Sequence, residues 1–199
     1  MRIIAGMHRG RALTAPEGRA TRPTSDRTRG ALFNILAHGL DRDRAPPLPQ
    51  DARVLDLFAG SGALGLEALS RGAKRVLFID NAAAARAAIR QNIDMLHAAG
   101  ACKLYRRDAS RLGPMESNCG GPFDLVFLDP PYRSGLLAPT LQGLREGGWL
   151  CADALLAAEI ASDETTPRTP GYRELDRRIY GDTMLLFLQR DENGSAAPE

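Results

Sequence analysis

The chain has 199 residues, 44% of them hydrophobic, and a net charge of +2, which suits one well-buried domain with a small extension and is too short for two ordinary domains. No stretch approaches the roughly 18 consecutive apolar residues of a membrane span, and the start MRIIAGMHRG carries a charge at position 2 without the long apolar segment of a secretion signal, so a cytoplasmic location is expected. Cys102, Cys119 and Cys151 are odd in number and lack CxxC spacing, and His8, His38 and His97 show no ligand spacing, so neither a disulfide framework nor a structural metal is expected.

Taken in chain order, the first 30 residues hold seven arginines (Arg2, Arg9, Arg11, Arg19, Arg22, Arg27, Arg29) against Glu17 and Asp26. The chain uses arginine almost to the exclusion of lysine, which explains the residue type but not the clustering, and a phosphate-binding arm is the expectation over a merely solvated surface. RIIAGMHRGRALTAP predicts a hairpin. TSDRTRGALFNILAHGL predicts a helix capped by Thr24 or Ser25, with Ala31, Leu32, Ile35 and Leu36 on its apolar face and Gly39 past its end. The charged, Pro-rich stretch over 41–51 reads as a linker between an extension at 1–40 and a core at 52–190, and 191–199 reads as a disordered tail.

From residue 53 strands and helices alternate. RVLDLF, RVLFID, CKLYRRD, FDLVFLD and LLAAEIA are strand-like, with helices predicted at ALGLEALSR, over 82–100 with Ile89, Ile93 and Leu96 on one face, and near GLLAPTLQGLREGG. YRELDRRIY and DTMLLFLQR predict a closing antiparallel hairpin. This order implies an α/β fold, a doubly wound, mostly parallel seven-stranded sheet whose ligands bind beyond the carboxyl ends of the strands.

Those ends carry the chemistry. The first strand runs through Asp56 into Phe58, Ala59, Gly60, Ser61 and Gly62, with Gly65 completing GxGxxG, a pattern that lets the backbone approach an anion or nucleotide and is weak by itself. Asp80 ends the second predicted strand and suits a ribose diol; an NAD site would use it equally. Asp56, placed where a dinucleotide site usually has an apolar residue, suits a ligand with an ammonium group. Asp108 ends the third predicted strand, where it can accept from an adenine amino group while the Ala109 N–H reaches a ring nitrogen. Together the three describe S-adenosylmethionine, although Asp80 or Asp108 singly could equally be a helix cap.

The fourth strand ends in LDPPY. An exocyclic amine on a nucleobase is a poor nucleophile because its lone pair is delocalised into the ring, so a methylating enzyme needs acceptors for its two N–H groups. Asp129 supplies a carboxylate and Pro130 a carbonyl, while Pro130 and Pro131 fix φ and remove competing donors. Tyr132 offers a flat face for a flipped base, worth about 1 to 3 kcal/mol. A tight turn would also use Asp-Pro and Pro-Pro, so the weight rests on the position of this motif downstream of the first-strand glycines.

RIIAG, RGR, RPTSDRTR, LFNIL, LDLFAGSGALGLEALSRGA, FLDPPYRSGLL and GWL together resemble the RsmD family of bacterial 16S rRNA (guanine-N2)-methyltransferases along nearly the whole chain. The resemblance implies a class I, Rossmann-like methyltransferase fold, S-adenosylmethionine as cofactor, and 16S rRNA as partner, within a 30S subunit or assembly intermediate. From the sequence itself no membrane association is expected, and a monomer is expected because nothing suggests an obligate oligomer. By position, the cofactor loop falls on Asp56 to Gly62, the ribose acid on Asp80 beside Asn81, the adenine contact on Asp108 and Ala109, and the catalytic motif on Asp129 to Tyr132. Arg9, Arg11, Arg22, Thr24, Arg27, Arg29 and Arg133 would face the RNA. Gly30 stands where the family carries a glutamate, Asp80 is shorter than the usual glutamate, and Ala82 replaces a frequent aspartate. Competing readings are an adenine-N6 or DNA amine methyltransferase, a non-catalytic ribosome-assembly factor, and an NAD-dependent oxidoreductase, which would have no use for DPPY.

Overall fold

The structure, a computed structural model, describes residues 1–16, 25–38, 40, 46–167 and 169–191. After helix α1 (Asp26–His38), strands and helices alternate as β1 (Arg53–Leu57), α2 (Ala63–Ser70), β2 (Arg75–Ile79), α3 (Ala83–Met95), β3 (Cys102–Tyr105), β4 (Phe123–Leu128), α4 (Leu137–Glu146) and β5 (Leu150–Ala161). β6 (Tyr172–Tyr180) and β7 (Thr183–Arg190) close the chain as a hairpin. One seven-stranded sheet results, in the order β3-β2-β1-β4-β5-β7-β6, parallel from β3 to β5 and antiparallel at β7 and β6. The central strands read as continuous apolar runs because both faces are covered. On one side α1, α2 and α3 pack through Leu32, Phe33, Leu66, Ile89 and Ile93; on the other α4 packs through Leu137, Leu141 and Leu144. No described helix is long and apolar enough to cross a membrane.

The amino-terminal hairpin forms with a single antiparallel bridge, Arg2 to Ala12, closed by Ile3 N–H to Arg11 O at 3.0 Å and Leu13 N–H to Met1 O at 3.0 Å. It does not extend into two regular strands because its next donors are taken elsewhere. Ile4 and Ala5 donate their N–H groups to the carboxylate of Glu67 on α2, at 2.7 and 3.0 Å. Ser70 at the end of the same helix accepts from His8 N–H and donates to Ala5 O. Ile3, Leu13, Leu32, Phe33 and Leu36 thereby share one core with the sheet.

The helix cap is Ser25, whose Oγ accepts from Thr28 N–H at 3.0 Å; Thr24 and Gly39 lie outside the described residues. The buried face of α1 is Thr28, Arg29, Leu32, Phe33 and Leu36, rotated from the predicted one. Phe33 sets the rotation by meeting Phe127 of β4 edge-on, centroids 5.6 Å apart, beneath the guanidinium of Arg71. Of the predicted linker, 41–45 lies outside the described residues, while Leu48 and Pro49 are buried and Leu48 joins the core. Of the predicted tail at 191–199, Asp191 is tied to the fold by its N–H bond to Gly171 O at 2.9 Å, and 192–199 lies outside the described residues.

Glu67 is fully buried and serves Ile4, Ala5 and Arg71, with Arg29 Nε 3.9 Å away. Removing one partner of a buried ionic cluster costs about 3 to 5 kcal/mol. Glu67→Ala is therefore expected to lower stability by about 3 kcal/mol in denaturant unfolding and to speed amide exchange at Ile4 and Ala5; wild-type exchange there would show that the arm is held without Glu67.

Candidate active site

β1 connects through α2 on one face of the sheet and β4 through α4 on the other, so no crossover covers the gap beyond their carboxyl ends. A cavity of about 480 Å³ opens there, within the range that holds a nucleotide-sized ligand. Its wall brings together Asp56, Phe58, Ala59, Gly60 and Ser61 from the β1 end, Asp80 and Asn81 from the β2 end, Ala109, and Asp129, Pro130, Pro131 and Tyr132 from the β4 end.

Two carboxylates shape the glycine loop. Asp56, buried in β1, accepts from Gly65 N–H at 2.9 Å. Desolvation pushes its pKa up to about 8; the Gly65 amide opposes the shift and the nearby Asp80 adds to it. Asp80 accepts from Gly60 N–H at 2.9 Å through one oxygen and from Ala82 N–H at 2.8 Å through the other, which clamps the loop to the start of α3. Gly62 does not line the cavity. It enters α2 at φ +76, and Gly65 lets that helix lie on β2: a Cβ on Gly65 would stand 2.4 Å from Phe78 Cε1.

At the β4 end, Asp129 N–H reaches Leu57 O at 3.4 Å, tying the motif to β1, and its half-buried side chain borders the cavity. Pro130 is buried and Pro131 exposed. The Tyr132 hydroxyl is anchored to Glu159 Oε1 at 2.9 Å and Thr183 Oγ1 at 2.8 Å, and burial raises its pKa far above the usual tyrosine range, so it remains a hydroxyl.

Other expected site residues fall elsewhere. β3 ends at Tyr105, short of Asp108. The Asp108 carboxylate caps the turn Ala109–Arg111, accepting from Ser110 N–H at 2.9 Å and Ser110 Oγ at 2.7 Å, and is not part of the cavity wall. Those bonds hold its pKa below the usual carboxylate range. Arg29 borders the cavity but its side chain has no solvent exposure; its guanidinium bonds Arg2 O and, at 2.9 Å, Asp26. Burial makes it a brace for the arm and not a surface offered to RNA. Arg9, Arg11 and Arg27 are exposed, and Arg133 pairs with Asp163 at 2.7 Å while its N–H donates to Glu164. Arg22 and Thr24 lie outside the described residues.

The sequence reading missed several participants. Met1, Ala15 and Pro16 of the arm complete the cavity wall. Asn92, fully buried on α3, holds them in place: it accepts from Thr14 N–H at 2.8 Å and donates to Thr14 O and to Ser61 O, both at 2.9 Å. Arg107 also borders the cavity, its guanidinium occupied by Leu112 O and Glu116. Glu159 and Asn92 could have been flagged as lone polar residues at inward positions of apolar elements; nothing local pointed to Ala15 or Pro16.

A doubly wound sheet with an open carboxyl end, a glycine loop and an Asp-Pro-Pro-Tyr turn on one cavity defines the class I methyltransferase architecture. A ribosomal protein L11 methylase from Lactobacillus delbrueckii shares that fold, with a TM-score of 0.56 at 20% identity over 73% of this chain and 72% of that one. Residues 1–189 match the family described as Conserved hypothetical protein 95. The ribosomal RNA small subunit methyltransferase D of Escherichia coli strain K12 is 38% identical over 98% of this chain and 93% of its own. The solved structure of yhhF from Escherichia coli superposes with a TM-score of 0.79 at 37% identity, covering 96% of this chain and 98% of that one. The chain belongs to this family, the RsmD methyltransferases.

Asp56 yields a prediction about pH. Its folded-state pKa of about 8 lies above the ordinary 3.8, so the stability linked to this group is full below the lower value and is lost as pH rises toward the upper one. In Asp56→Asn the fall of unfolding free energy between about pH 4 and 8 should be shallower than in the wild type, measured by denaturant unfolding across that range.

Proposed function

We propose that this chain transfers a methyl group from S-adenosylmethionine to the exocyclic N2 amine of a guanine in the 16S rRNA of the small ribosomal subunit. The observation that carries the reading is the convergence, on one cavity, of the glycine loop with Asp56 and Asp80 and of the Asp129-Pro130-Pro131-Tyr132 turn. Asp56, Asp80 and Asp129 border the cavity and suit a cationic nucleoside. Of the two bordering guanidiniums, Arg107 is bonded to Leu112 O and Glu116, while Arg29 bonds Arg2 O and Asp26 through Nη2 and keeps Nε and Nη1 without a hydrogen-bond partner among the described residues.

Asp56 would hold the ammonium group of the donor, ionising to do so; Asp80, which clamps Gly60 and Ala82, would offer its remaining lone pairs to a ribose hydroxyl; and Ala109 would border the base. S-adenosylmethionine supplies the electrophilic methyl group. Asp129 and the Pro130 carbonyl accept the two N–H protons of the target amine, which draws the nitrogen out of conjugation and frees its lone pair. Asp129 acts by orientation, since the methylated amine while cationic is acidic enough to lose its proton to water. The ring of Tyr132 supports the flipped base; its hydroxyl, turned to Glu159 and Thr183, takes no part in base recognition. Exposed Arg9, Arg11 and Arg27 meet phosphates of the surrounding RNA.

Incubating small subunits from a strain lacking this protein with labelled donor, and mapping the modified base by mass spectrometry, tests the reading directly; incorporation into an adenine or into DNA would replace it. Asp129→Ala is expected to lower kcat by on the order of 10²- to 10³-fold, as for loss of one oriented hydrogen-bonding group, with cofactor affinity by calorimetry nearly unchanged. Replacing Arg9 and Arg11 by alanine should weaken RNA binding and reduce the slope of log affinity against log salt by about 1 for each phosphate no longer neutralised; an unchanged slope would return the arm to the solvated surface.

A further inference from the structure

The function just proposed uses the face of Tyr132 and leaves unexplained why its hydroxyl is held so firmly. A tyrosine hydroxyl has one proton. Here it faces a carboxylate 2.9 Å away and a threonine hydroxyl 2.8 Å away, so the proton goes to Glu159 and Thr183 donates to the tyrosine oxygen. Glu159 is only 5% exposed in the run Leu155-Leu156-Ala157-Ala158-Glu159-Ile160-Ala161, all of it buried. A carboxylate costs free energy at such a position unless it has a partner there, and β5 would pair with β4 and β7 just as well with an apolar residue in its place.

Register explains how the two groups meet. Ala161 stands opposite Thr183 and Glu159 opposite Leu185. Residues two apart on a strand point to the same face, and directly opposed residues share a face. Glu159 and Thr183 therefore project from adjacent strands on one side of the sheet, toward the same point. The segment after Tyr132 is exposed through Gly135. Without the two strand residues, the ring would be oriented by buried Pro130 before it and by that exposed segment, which is held through Arg133 to Asp163 and Glu164.

We propose that Glu159 and Thr183 are positioning residues for methyl transfer, clamping Tyr132 to β5 and β7 so that the plane offered to the target base is set by the sheet and not by the exposed turn. The inference rests on the amine-methylation reading. A misplacement of about 1 Å in a reacting group can cost on the order of 10²-fold in rate, so the clamp should be read in turnover of the RNA and not in cofactor binding.

The test compares Glu159→Leu, Thr183→Val and Tyr132→Phe with the conservative Glu159→Gln and Thr183→Ser, using deletion-strain small subunits as substrate and calorimetry for cofactor affinity. Glu159→Leu and Thr183→Val are expected to lower kcat by about tenfold or more with cofactor affinity unchanged, and the conservative variants, which keep an acceptor or a hydroxyl, to restore most of the loss. Tyr132→Phe combined with Glu159→Leu should be no slower than the slower single variant, because both break one contact. Wild-type turnover in Thr183→Val, or additive losses in the double variant, overturns the clamp while leaving the function intact. A wild-type protein that leaves every small-subunit guanine unmodified overturns the function, and the clamp with it. If Glu159→Leu does not fold, Thr183→Val against Thr183→Ser decides the matter alone.

Discussion

β1 is paired in parallel on both sides, with β2 and with β4, and the chain leaves these strands toward opposite faces of the sheet. A right-handed crossover can cover only the strand ends it spans. Among the described residues no crossover connection covers the ends of β1 and β4, and the cavity lies there for that reason. The Asp129 N–H bond to Leu57 O fixes how far the β4 turn stands from the glycine loop. The glycine loop and the Asp-Pro-Pro-Tyr turn share one cavity because this pair of strands keeps the two loops side by side.

The loops themselves are held by carboxylates that accept from backbone amides. Asp56 holds Gly65, Asp80 holds Gly60 and Ala82, and Glu67 holds Ile4 and Ala5. Each donor satisfied in this way would otherwise be a buried or half-buried N–H without a partner at a turn. The arm is thereby fastened to α2 and, through Asn92, to the same loop that approaches the cofactor. The exposed arginines at the tip of the hairpin and the residues that wall the cavity belong to one continuous segment, 1–16.

The element order was readable because parallel strands buried on both faces give uninterrupted apolar runs and the helices between them repeat near 3.6 residues. LDPPY was readable as a turn at a strand end because two prolines after an apolar run cannot continue the strand, and its position downstream of the first-strand glycines set it apart from an ordinary turn. Asp108 was misplaced because strand-like composition continued through Arg106 and Arg107 while the hydrogen-bonded ladder stopped at Tyr105; a carboxylate that looks like a strand end then becomes a turn cap. Arg29 was counted with the surface arginines because charge clusters are read without burial, and its place against Glu67 depends on how α1 rotates to seat Phe33 on Phe127.

What the amino-acid order determined by itself was the alternation of elements, the parallel sheet, the glycine loop and the Asp-Pro-Pro-Tyr turn, since each follows from local periodicity and from backbone preferences within a few residues. Tertiary structure alone decided that Met1, Ala15 and Pro16 wall the cavity, that Asn92 joins the arm to the loop, and that Glu159 and Thr183 grip Tyr132. Those contacts join residues from 27 to 78 positions apart. Their geometry comes from strand register and helix rotation, which the packing of the whole core sets and no short window of sequence contains.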